Sequence, residues 1–167
     1  MGSCWYFDLQ TLSTDWAFVG SKWGVVGRGN VDAWEKYLTP LGIQPQGGIG
    51  QKKLTDEQMV ACLRKAKVCP IIHAPSWQAE RGVQDRFYTV FLSGRFGICD
   101  NLGAVDMFGS RLKPICTEDP AEYVRLSRHY VKNVGKQTDY IEYVQDLIKR
   151  KHNFYVQWHG ILSSQLL

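Results

Sequence analysis

Two groupings of cysteine and histidine are the residues of this sequence best suited to chemistry. Cys69 and His73 stand four apart, close enough to share one metal ion, and His129, His152 and His159 lie downstream. A zinc site ordinarily shows a close Cys or His pair followed by a second such pair. Here there is one loose pair, and Pro70 between its members favours extended backbone, so no metal is expected. Cys99, followed by Asp100, is the second grouping, a thiol that His129 or His159 could approach through the fold. A cysteine nucleophile needs its pKa lowered by an imidazolium or a helix N-terminus. The sequence places neither beside Cys99. G-x-S-x-G, H-E-x-x-H and the cysteine-protease signatures are all missing. A small cysteine-dependent enzyme is therefore the last of three functional readings, and no cofactor is expected.

Two other features could hold anions. A glycine-rich stretch, Gly47-Gly48-Ile49-Gly50, runs through Lys52 and Lys53 toward a helix start. Amides of such a loop can cradle a phosphate at a helix N-terminus, with a lysine assisting. Neither the Walker spacing nor a G-x-G-x-x-G after a clear strand is present, so a connecting loop is the simpler reading. Arg86-Phe87-Tyr88 and Arg95-Phe96-Gly97-Ile98 interleave basic and aromatic residues, as RNA-binding sheets do. Neither fits the consensus of that module. Lys149, Arg150 and Lys151 add a basic run that a helix C-terminus explains equally well. The net charge of +4 is mild for a dedicated nucleic-acid protein. RNA binding is the second reading.

The leading reading comes from composition. Six Trp, eight Tyr and seven Phe exceed what one modest core requires. Trp and Tyr are also the side chains that interfaces favour, because they bury much area at low entropy cost. Trp5, Trp16, Trp23 and Trp77 are expected to anchor neighbours, with the 47–53 loop ordered by one of them. The expectation is a non-catalytic structural or interaction protein, an accessory subunit of a larger intracellular assembly. Its partners would be other protein subunits or copies of itself. Five Cys without a C-x-x-C pair, and no basic-then-apolar start, suit a reducing intracellular compartment. No apolar run approaches the roughly 18 residues of a membrane helix. Met1-Gly2-Ser3-Cys4 brings lipidation to mind, but Tyr6 stands where the myristoylation pattern wants Ser or Thr.

The elements that must position these residues centre on 86–116. In 86–92, Phe87 and Phe91 alternate with Tyr88, Val90 and Leu92, which reads as a strand apolar on both faces. Ser93-Gly94 then offers a tight turn, 96–98 a returning strand, and 104–108 and 112–116 two more. The spacing predicts an α+β fold over 1–167 as a single domain: a small antiparallel β-meander covered by two N-terminal helices and a C-terminal helical hairpin. Asp32 with Glu35 opens the first helix, and Trp34, Tyr37 and Leu38 form its apolar stripe. Thr55 with Gln58 caps the second, Met59, Cys62, Leu63 and Ala66 form its stripe, and Cys69-Pro70 closes it. Residues 71–73 are a candidate strand. Asp119-Pro120-Ala121-Glu122 is the strongest helix start, with Tyr123, Leu126 and Tyr130 inward. Asp139 with Glu142 opens the last helix, and short strands are expected at 4–7 and 154–159.

Overall fold

A computed structural model describes residues 12–19, 29–43 and 54–152. Three short strands, β1 (Thr14–Trp16), β2 (Ala66–Ile71) and β3 (Gly97–Cys99), form a sheet in the order β1-β2-β3. Both pairs are parallel, with Thr14 beside Ala66 and Ile71 beside Cys99. The expected antiparallel meander is therefore incorrect. The expected strands at 4–7 and 154–159 lie outside the described residues.

The error begins at 86–92, which is helix α4 (Asp85–Leu92). Phe87, Val90 and Phe91 are spaced i, i+3, i+4 and are fully buried, while Leu92 faces solvent. A short apolar run satisfies both a two-sided strand and a helical stripe, and its periodicity alone does not separate them. Ser93-Gly94 is then the end of that helix and not a hairpin. The Gly94 N–H bonds to the Phe91 carbonyl at 3.0 Å, and Gly94 has a φ of 75°, the left-handed turn that closes helices. Once α4 is a helix, β2 and β3 must be joined by a crossover, which parallel strands require. Helix α3 (Pro75–Ala79) and α4 make it.

The later strands fail for the same reason. Residues 104–108 belong to helix α5 (Gly103–Phe108), and 112–115 to a tight 3₁₀ turn over Ser110–Ile115. One bridge follows that turn, where Cys116 lies parallel beside Cys99. The pair Cys69-Pro70 is not a helix stop but the middle of β2, entirely buried. Cys69 turns its N–H toward β3, bonding Phe96 O at 2.8 Å, so the next residue faces β1. Proline has no N–H to offer there, and the β1–β2 register ends with Trp16 beside Val68.

Helix α2 (Asp56–Arg64) has the expected capping box. Gln58 N–H donates to Thr55 Oγ1, and Thr55 N–H donates to Gln58 Oε1 at 3.0 Å. It ends before Ala66, which enters β2. Helix α1 (Gly29–Ala33) continues through a wide turn at Trp34–Leu38 and a tight one at Thr39–Leu41. Asp32 therefore lies inside it and does not cap it, although Trp34, Tyr37 and Leu38 are buried as expected.

Helix α6 (Pro120–Lys132) starts as expected, with Asp119 accepting from Ala121 N–H at 2.9 Å. Its Tyr123, Ser127 and Tyr130 side is buried, and it packs on β2 and β3. Helix α7 (Thr138–Lys151) packs against α4 instead, where Gln145 Nε2 donates to Phe91 O at 2.7 Å. Phe96 joins the two helices to the sheet, its ring 4.6 Å from Tyr130 and 5.8 Å from Tyr140. Phe87 stacks on Phe108 at 4.8 Å and touches Phe91 at the same distance. Much of the ring-rich composition is thus interior packing. Among the described residues, no helix is long and apolar enough to cross a membrane.

Candidate functional site

Because β2 and β3 run the same way, their carboxyl ends emerge on one edge of the sheet. His73 follows the end of β2 and Asp100 the end of β3, so the topology joins two residues 27 apart in sequence. His73 Nδ1 lies 2.6 Å from Asp100 Oδ1, and both side chains are 0% exposed. The His73 backbone N–H also donates to the carboxylate, at 3.1 and 3.0 Å from its two oxygens. Gln78 Nε2 donates to Asp100 Oδ2 at 2.9 Å and to the Asp100 carbonyl at 3.0 Å. The Gln84 backbone N–H donates to His73 Nε2 at 3.3 Å. A nitrogen that accepts carries no proton, so this network assigns a neutral imidazole with its proton on Nδ1.

Burial pushes the Asp100 pKa above the ordinary carboxyl value, against the opposing pull of the His73 bonds and the Arg86 charge. Arg86 is itself drawn inward. It lies 4.5 Å over the Phe18 ring and donates to Ile72 O at 2.8 Å and Val19 O at 3.2 Å. Burial lowers its pKa, while Asp100 works the other way. This is a closed polar brace between the ends of two strands.

Tyr123 from α6 completes it. Its hydroxyl accepts from Ile71 N–H at 3.1 Å and donates to Ile98 O at 3.0 Å, and so ties β2 to β3. Tyr123→Phe is expected to lower stability by about 1–2 kcal/mol, since the hydroxyl's two buried bonds to the backbone are lost. Urea unfolding with an unchanged slope checks this. Asn101 secures the next turn by donating to Gly82 O at 2.6 Å and accepting from Gly103 N–H at 2.7 Å.

Over this edge lies a groove of about 440 Å³ lined by Lys36, Tyr37, Gln78, Ala79, Glu118 and Pro120. Tyr37 Oη donates to Glu118 O at 2.9 Å, and Glu118 Oε1 accepts from Leu102 N–H at 3.2 Å. Pro120 is the first residue of α6. Gln78 belongs to both layers, lining the groove while its amide holds Asp100.

The sequence candidates sit differently from expectation. Cys99 is at the end of β3 with no exposed surface, and its imidazole neighbour is His73, not His129. Burial, followed by Cys116 and Asp100, raises the Cys99 pKa well above the ordinary thiol value. His129 is exposed on α6, beside a second groove that holds Cys116. Cys69, paired with His73 in the sequence reading, instead donates its thiol to Leu63 O, and burial pushes its pKa to about 12. Ligand atoms of His73, Cys99 and Asp100 do lie within 4.8 Å of one another. Each is already engaged: His73 and Asp100 with one another, and Cys99 Sγ with Asn101 O at 3.5 Å. A metal would have to break the brace to enter.

Of the expected anchors, Trp16 is half-buried against the core and Trp77 is 44% exposed on α3. Lys149, Arg150 and Lys151 form the exposed last turn of α7, where Arg150 pairs with Asp146. Arg86-Phe87-Tyr88 is helical and Phe96 is buried, so these rings do not present a sheet face to RNA. Trp5, Trp23, Lys52, Lys53 and His159 lie outside the described residues. The sequence reading missed Asp100, Gln78 and Arg86, because only the parallel crossover brings them to His73. Compared with known proteins, the chain matches no family model, no curated protein and no solved structure.

Proposed function

We propose that this protein binds a small polar molecule in the groove above the carboxyl ends of β2 and β3. One observation carries the reading: Gln78, which lines the groove, has its amide held by Asp100 at the carboxyl ends of the parallel strands. Its lining supports a polar occupant. Lys36 supplies a cation, Glu118 a carboxylate, and Gln78 an amide fixed from below by a buried carboxylate. Such a mixture, set among the apolar surfaces of Tyr37, Ala79 and Pro120, suits a ligand carrying hydroxyl and anionic groups. His73 and Asp100 are positioning residues in this reading, sealed from solvent and holding Gln78 in place. The proposal is for binding.

Amide resonances test it. Nucleotides, sugar phosphates and amino acids, added in turn to labelled protein, are expected to yield a set that shifts Lys36, Gln78 and Glu118. Ala79→Trp, which fills the groove from an exposed helix position, should abolish those shifts. Shifts mapping elsewhere, or none from any of the three sets, contradict the reading.

A second reading, an accessory subunit that works by contact, is favoured by Trp77. Its indole is 44% exposed, and its edge lies where a Cβ on Gly82 would come within 2.6 Å. A large ring held in place at the surface is the kind of side chain that anchors a protein partner.

A further inference from the structure

We propose that Cys99 and Cys116 form a reversible disulfide that clasps the end of β3 to the segment leading into α6. The two residues are direct neighbours across a parallel bridge, and Thr117 N–H donates to the Cys99 carbonyl at 2.9 Å. Adjacent strands lie about 4.8 Å apart, inside the roughly 4.4–6.8 Å between Cα atoms that a disulfide spans. The two thiols are also near enough for Cys116 to help raise the Cys99 pKa. Two thiols on paired backbone need little rearrangement to join.

Access is one-sided. Cys99 is sealed inside the sheet edge, whereas Cys116, 4% exposed, lines an open groove of about 420 Å³ with Lys113, Arg125 and His129. Glu122 lines the groove too and pairs with Arg125, so Lys113 is the cation offered to an anionic disulfide such as oxidised glutathione, the oxidant. Cys116 loses its proton to solvent and its sulfur attacks one glutathione sulfur. The glutathione S–S bond breaks, and one glutathione leaves as a thiolate that takes up a proton. Cys99 then gives up its proton and attacks the Cys116 sulfur, and the second glutathione departs in the same way. Two protein thiols are oxidised and one glutathione disulfide is reduced to two thiols. Burial raises the Cys99 pKa, which assigns it the second, intramolecular step, where proximity offsets a scarce thiolate.

The clasp would tie together strand and loop segments on either side of Asp100 and Glu118, and so brace the carboxyl edge. Folded protein treated with oxidised glutathione, quenched by alkylation and digested without reductant tests it. A linked Cys99–Cys116 peptide is expected, with a mass loss of about 2 Da and a melting temperature raised by about 5–10 °C, both reversed by reductant. In Cys99→Ala, glutathione should remain on Cys116 as a stable adduct. A stable adduct on Cys116 of the unaltered protein, a link between other cysteines, or no modification would each overturn the proposal.

Discussion

His73→Ala is expected to lower stability by about 1–3 kcal/mol, the usual loss when a buried acceptor is deprived of a hydrogen-bond donor. The imidazole is the donor on Asp100 Oδ1 at 2.6 Å, and the carboxylate has no exposed surface from which to recruit water. Gln78 and the His73 backbone N–H would remain, so the carboxylate is stripped only in part. The loss should also depend on pH. Burial already holds the Asp100 pKa above the ordinary value in the folded protein, and removing a donor raises it further. A carboxyl that binds its proton more tightly folded than unfolded loses stability as pH rises from the unfolded value through the folded one. The deficit of His73→Ala against the unaltered protein should therefore widen from acid toward neutral pH. Urea unfolding at a series of pH values checks both the size and the direction. An equal deficit at every pH would mean that the orphaned carboxylate is not the source.

Gly103→Ala should cost about 2–4 kcal/mol, at the upper end of overpacking losses. A Cβ on Gly103 would sit 2.0 Å from the Arg81 carbonyl oxygen, 2.5 Å from its carbonyl carbon and 2.9 Å from its Cα. All three are backbone atoms, so no rotamer change relieves the clash. Arg81 is constrained as well, being a non-glycine residue with a φ of 53° whose side chain pairs with Asp106 on α5. Moving this segment would also stretch the bonds from Asn101 to Gly82 O and from Gly103 N–H to Asn101 Oδ1. Gly135→Ala is the control, since nothing lies within 4 Å of the added carbon. It should change stability by less than about 0.5 kcal/mol. Parallel denaturation of the two variants settles whether close backbone approach, and not glycine flexibility, is what Gly103 provides.

Two helix starts were legible because they are local, whereas Asp32 and Asp139 lie inside their helices. Thr55 with Gln58 and Asp119 ahead of Pro120 each need only a side chain and a nearby amide, and both caps form as their spacing implies. The sheet was not legible, and one ambiguity propagated. With 86–92 taken as a strand, Ser93-Gly94 became a hairpin turn and every following segment an antiparallel neighbour. As helix α4 it is a crossover, and the strands become parallel. Pro70 misled in the same way, because a proline inside a strand reads as a boundary until the partner strand is known to stop beside it.

The candidate site depended wholly on that topology. His73 drew notice as a metal ligand for Cys69, its neighbour in sequence, while its true partner stands on another strand. Asp100 carried no local signal beyond following Cys99. The aromatic surplus was real in composition, but Trp34, Phe87, Phe91, Phe96, Phe108 and Tyr123 are interior. Sequence counts rings without saying which way they face.

Crystals soaked with a library of small polar fragments would show whether the groove beside β2 and β3 binds. Bound fragments are expected to collect between Lys36, Gln78 and Glu118, with a polar atom within hydrogen-bonding distance of the Gln78 amide. Fragments gathered along the Lys113 to His129 groove or against Trp77, with the carboxyl edge empty, would contradict this expectation.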